Sequence, residues 1–191
     1  EGNISLHKLD DTLSKFNTIS LPKLRCYFCQ YSPDGSYIVA GGDKKLFIID
    51  TDAYSYKCLE NKDDEIYCNI AFHPNNLILA ILSEKTVSLS RLCVYKQQIV
   101  HYWDIKTQKF IIANMPVLKS SCGRDLSFSP DGLEMVIVLE GKCVRAPVPS
   151  AVNEKICQYL LFILHQLIED AKLPEDVMLY CGNILLKTFA L

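Results

Sequence analysis

Over residues 25–150 apolar and polar positions alternate in short runs broken by turn-forming residues, and one order of runs and turns recurs three times. The first copy runs Cys26 to Tyr31, turns at Ser32-Pro33-Asp34-Gly35, continues Tyr37 to Ala40, turns at Asp43-Lys44-Lys45 and ends with Leu46 to Asp50. The second has Ile66 to Phe72, His73-Pro74-Asn75-Asn76, Leu77 to Leu82 and Ser83-Glu84-Lys85. The third has Leu126 to Phe128, Ser129-Pro130-Asp131-Gly132, Met135 to Leu139 and Glu140-Gly141-Lys142. A period of two is that of a strand with two unlike faces. Pro pre-sets φ for a tight turn and Gly accepts positive φ. Each copy therefore predicts a β-hairpin followed by a third strand.

From Ala151 the alternation stops. Ala151 to Ala171 holds no Gly or Pro, and it spaces Val152, Ile156, Tyr159, Leu160, Ile163, Leu164, Leu167 and Ile168 as one helical stripe. Pro147 and Pro149 separate strand from helix. Lys172-Leu173-Pro174-Glu175-Asp176 reads as the start of a second helix, with Pro and acids in its first turn. Gly182-Asn183 interrupts or ends it. Residues 151–191 thus read as a helical hairpin whose apolar stripe needs a surface to cover it.

Pro33 and Pro74 lie 41 residues apart, within the roughly 40–45 of a four-stranded repeat unit. Pro74 and Pro130 lie 56 apart, and the excess falls before Asp104. Deleting Ser88 to Val100 restores the spacing to 43, so residues 88–100 read as an insertion, either a longer hairpin or a surface loop. Tyr102-Trp103-Asp104-Ile105, after a hairpin with a polar turn, resembles the closing strand of a tryptophan–aspartate (WD) repeat. The resemblance covers about residues 1–150 and implies a mainly β fold: a partial WD-type β-propeller of about three blades plus a partial one, with an α-helical C-terminal segment. It also implies structural roles for Asp43, Asp50, Trp103 and Asp104. The chain departs from the family pattern in lacking a Gly-His pair, and it has Ile49-Asp50 and Val144-Arg145 where the second repeat has Trp-Asp. Asp43 stands as the turn Asp of the first blade, with Glu84 as its weaker counterpart. Three blades do not close a ring, so the chain reads as a piece of a longer protein.

A propeller followed by a short helical module is similar to WD-repeat proteins carrying a C-terminal SOCS box. Cys157 is followed four residues later by Leu161, and Leu173-Pro174 begins 16 residues after Cys157. Asn153 and Asp176 depart from that motif, which would have Leu and Pro there. The resemblance implies that Ile156, Cys157, Leu160, Leu161, Leu164, Leu173 and Pro174 bind elongin C and lead toward a cullin. The other reading is a helix pair that caps the open edge of the sheets.

Composition narrows the function classes. Forty-nine per cent apolar and 22% charged residues suffice for a core, and a net charge of −2 argues against an electrostatic grip on nucleic acid or an anionic membrane. No apolar stretch exceeds the six residues of Tyr159 to Leu164, against roughly 18 for a bilayer span. Nine scattered cysteines and no apolar leader after Glu1 predict reduced, buried thiols in the cytoplasm or nucleus. Cys26-x-x-Cys29 lacks the second pair of a zinc site, and positions three apart on a strand point to opposite faces, so burial is the expectation there. His7, His73, His101 and His165 are far apart, with His73 placed to cap its turn. Asp63-Asp64-Glu65 reads as a solvated acidic turn, and Gly41-Gly42-Asp43-Lys44-Lys45 sits between strands rather than opening a phosphate-binding helix. No acid, base and nucleophile are seen to assemble, and an enzyme would require His101, Cys93 and an acid to converge. Neither a cofactor nor a metal is expected. The residues therefore point to a non-catalytic scaffold for protein–protein interactions. In one form it is a substrate-recognition adaptor of a cullin-RING ubiquitin ligase. In the other it serves RNA processing, trafficking or cytoskeletal assembly, and its tail only caps the propeller.

Overall fold

The computed structural model describes residues 2–7, 15–22, 25–61, 65–90, 93–111, 118–119 and 123–171, some of these by backbone alone. The second helix expected from Lys172 onward, with Leu173 and Pro174, lies outside the described residues. So do the side chains of Cys93, Leu161, Ile163, Leu164, His165 and Leu167.

The chain is mainly β, and its described residues form four antiparallel sheets and one helix. Strands β1 (Gly2–His7) and β2 (Lys15–Leu21) form a two-stranded sheet. The first large sheet orders β3 (Phe28–Tyr31), β4 (Tyr37–Gly42), β5 (Lys45–Asp50) and β6 (Tyr56–Glu60) in sequence. The second orders β7 (Glu65–Phe72), β8 (Ile78–Ser90), β9 (Cys93–Asp104) and β10 (Lys109–Ile111), with β11 (Leu118–Lys119) on the far part of β9. The third holds β12 (Gly123–Phe128), β13 (Glu134–Leu139) and β14 (Lys142–Pro147). Helix α1 (Ser150–Ala171) follows, one residue before the break in pattern at Ala151.

The Pro-containing turns form as their residues dictate. The amides of Gly35, Asn76 and Gly132 each close a turn on the carbonyl three residues back, at Ser32, His73 and Ser129. All three take positive φ, the conformation that favours Gly and Asn. In the second sheet the hairpin runs on to Ser90↔Cys93, where the flanking sheets have strands of only six residues. The extra residues lengthen β8 and β9 together as far as the Ser90↔Cys93 pair, the longer hairpin of the two forms expected for the insertion.

Alternation then sends the two faces of each strand into different cores. Ile38, Phe47 and Ile49 pack with Ile19 and Leu21 of the small sheet. The opposite face, with Val39, Leu46 and Ile48, meets Leu79, Ile81 and Trp103 of the second sheet. The other face of that sheet, with Ile78, Ala80, Val100 and Tyr102, meets Leu126, Met135 and Ile137 of the third, together with Val152 and Ile156 of α1. Each buried aliphatic side chain of this kind contributes about 1.5–3 kcal/mol.

Candidate functional site

Asp50 and Asp104 end equivalent strands, since Tyr37 pairs with Asp50 as Ile78 pairs with Asp104. Oδ1 of Asp50 accepts the amides of Asp52 and Ala53 at 2.9 and 2.8 Å. Oδ1 of Asp104 accepts those of Lys106 and Thr107 at 3.0 and 3.1 Å. Both turns then pass through positive φ four residues on, at Tyr54 and Gln108. A short carboxylate closes such a turn by satisfying its amides.

The second oxygens differ. Oδ2 of Asp104 accepts the Tyr159 hydroxyl of α1 and has the Lys155 ammonium 3.9 Å away. Burial pushes the Asp104 carboxyl up, but hydrogen bonds from Thr107 and Tyr159 and the Lys155 charge outweigh it, so the net shift is downward. Ammonium groups of Lys106 and Lys155 lie 5.2 and 5.1 Å from the Tyr159 ring centroid. At Asp50, no described residue donates to Oδ2. Asp50 borders a cavity of about 200 Å³ between the first and second sheets, walled by Tyr37, Tyr56, Lys57, Trp103 and Gln108.

Trp103 is buried, with Phe110 edge-on at 4.8 Å and the Lys57 ammonium 5.2 Å above its ring. Asp43 sits in the β4–β5 turn at positive φ and accepts the Tyr27 hydroxyl at 2.9 Å. Its carbonyl accepts the Tyr67 amide of the second sheet at 2.7 Å. Glu84, expected as its counterpart, lies inside β8 because the hairpin continues past it; there it accepts Gln98 Nε2 at 3.1 Å and faces Lys96 at 2.8 Å.

The proposed partner face of α1 is turned inward along its first half. Ile156 is 1% exposed and Cys157 8%, and Leu160 packs on the same core. Phe162 points outward, under the Lys106 ammonium at 4.8 Å.

Sequence reasoning missed one cluster. Glu65, read as part of a solvated acidic turn, is 5% exposed, because β7 begins at this residue and turns it toward the first sheet. Its Oε2 accepts Ser83 Oγ at 2.7 Å, meets His101 Nε2 at 2.8 Å and accepts Asn61 Nδ2 at 3.3 Å. Burial raises its pKa, and the bonds from His101, Ser83 and Asn61 override this and bring it to about 2. So an acid, a base and a hydroxyl do assemble, on β7, β8 and β9. The geometry is not that of an activated nucleophile. One nitrogen, Nε2, faces both Ser83 Oγ (3.1 Å) and Glu65, whereas a relay uses the two ring nitrogens on opposite sides. Ser83 is 0% exposed, so no substrate reaches it. A detectable signal existed: His101 falls at the position of Phe47 in the first repeat, a polar residue where the pattern calls for an apolar one.

His73 caps its turn, as its position predicts, and does more. Nδ1 accepts the Asn75 amide at 3.2 Å, which places the ring proton on Nε2, 3.1 Å from the Gly132 carbonyl. It thereby ties the turn of the second sheet to that of the third. Burial lowers its pKa. Cys26 and Cys29 are exposed, against the expectation of burial, because β3 is a short edge strand with three exposed positions. Cys143 is exposed too, and Cys157 buried. Among the described residues no three His, Cys, Asp or Glu side chains gather as a metal site, and no helix is long and apolar enough to cross a membrane.

No family model matches the chain. No curated protein matches it either. Among solved structures, the chain is similar to Kuenenia stuttgartiensis hydrazine synthase, with a TM-score of 0.54 and 15% identity. The match covers 73% of this chain and 44% of that one, so the chain spans less than half of the structure it resembles. At that identity the likeness concerns the fold alone.

Proposed function

We propose that this chain is part of a WD-type β-propeller and acts as a non-catalytic scaffold for protein–protein interactions. The observation that carries this reading is the recurrence, in phase, of a Pro turn, a hairpin and an aspartate-closed turn in sheets packed face to face. Such sheets hold their turns rigidly and present them at the rims, where a partner can be gripped without chemistry. The inaccessible Ser83 also supports a binding role over hydrolysis.

Two forms of scaffold were expected, and the position of α1 favours the second. Ile156, Cys157 and Leu160 are spent on the protein's own core, so the helix acts as a cap on the second and third sheets. Elongin C would have to pull this face off the sheets before binding it. Co-purification of the full chain with elongins B and C decides between the forms, and the cap predicts none. Recovery of a stoichiometric elongin complex would restore the ligase-adaptor form. For the scaffold itself, cross-linking in cells followed by reciprocal capture should return one defined partner protein. A chain that stays alone in both directions contradicts the reading.

A further inference from the structure

The corners at Asp50 and Asp104 are the same place in two successive sheets. The amides of Thr51, Ile105 and Val148 bond the carbonyls of Ser36, Leu77 and Leu133, which puts the three large sheets in one register. In that register Ala146 of the third sheet stands where Trp103 stands in the second. At the second interface α1 packs against both sheets, placing the Tyr159 hydroxyl on Asp104 Oδ2. At the first interface no helix follows. Trp103 takes part of the space, and the cavity of about 200 Å³ remains beside Asp50.

We propose that this cavity is a binding site for a tyrosine side chain presented by a partner protein, its phenol donating to Asp50 Oδ2. Three features select that ligand. A carboxylate has about four lone-pair sites, and the turn amides occupy only Oδ1. The walls Tyr37, Tyr56 and Trp103 suit an aromatic ring. Lys57, which reaches over Trp103 and donates to Gln108 Oε1 at 3.0 Å, would repel an incoming ammonium but can lie over an aromatic face, as Lys106 and Lys155 do over Tyr159. The volume is below the roughly 300–1,000 Å³ of sites for drug-sized ligands, so it matches a single side chain. The site deepens the scaffold reading by naming what one rim grips.

Trp103 is the chain's one tryptophan, so its fluorescence reports the cavity wall directly. Titration of the full chain with p-cresol, exciting at the red edge of the tryptophan band, should change the emission saturably. Toluene, which has the ring without the donor, should require about tenfold more, the scale of a hydrogen bond to a charged acceptor. Asp50→Asn, which keeps the turn acceptor, should weaken p-cresol by a similar factor and leave toluene unchanged. A response that never saturates overturns the site. So does equal affinity for p-cresol and toluene in the unaltered chain, which needs no variant to fold. Neither result bears on the elongin or cross-linking experiments, so failure of the site and failure of the scaffold reading remain distinguishable.

Discussion

The Asp50 and Asp104 corners have the same backbone, the same turn and the same carboxylate contacts on Oδ1, yet one is open and the other closed. The difference arises in two places other than the aspartates themselves. One is a side-chain exchange, Trp103 against Ala146, and the other is the helix that follows β14 directly. A repeat therefore fixes where a corner lies without fixing whether it is available. What fills it is set by the neighbouring sheet and by what the chain does next.

The largest test removes the closure. Ile156 is buried between the second and third sheets, so Ile156→Ala should cost about 2–5 kcal/mol of unfolding free energy in denaturant titration. If the midpoint scarcely moves, α1 is not a cap and the contrast between the corners disappears. Tyr159→Phe is the finer version. It deletes one hydroxyl and leaves Asp104 Oδ2 with Lys155 alone, at about 1–2 kcal/mol. Combined with Asp104→Asn, the two losses should be less than additive, because they break one contact.

Acid should act on the tie between sheets before it acts on the sheets. His73 is held neutral by burial, and its native pKa lies below the ordinary 6.5. The unfolded chain thus takes up the proton first, and stability falls as pH drops from 6.5 toward the lowered native value. Glu65 works lower down: its contribution is present above 4.5 and is lost as pH falls toward about 2. His73→Ser, which installs the residue of the other two repeats, should flatten the first decline and leave the second. If the profile of this variant matches the parent's from neutral pH downward, His73 does not carry the first step.

The legible part of this molecule was local. Pro33, Pro74 and Pro130 marked their turns, and the helical stripe from Val152 marked α1, because turn chemistry and periodicity act over a few residues. The spacing excess before Asp104 marked extra chain, though it could not show that β8 and β9 share it. Pairings across the sheets were not legible. Glu65 looked solvated because its partners Ser83 and His101 lie 18 and 36 residues away. Cys26 and Cys29 looked buried because alternation does not reveal that β3 is an edge. The stripe on α1 announced a need for cover without saying that the chain's own sheets supply it.

The smallest expected effect is the most discriminating. Asp50→Asn keeps an acceptor for the amides of Asp52 and Ala53 and disturbs no described contact on Oδ2, so it should shift stability by no more than about 0.5 kcal/mol. Asp104→Asn also keeps its turn acceptor, but it sets an amide against Tyr159 and loses the charge near Lys155, at about 1–2 kcal/mol. The same substitution at equivalent positions thus isolates what the helix adds, since the turn contribution cancels. Equal losses measured by thermal melts would mean that both carboxylates serve only their turns, and the tyrosine contact at Asp104 would then be no guide to what Asp50 can bind.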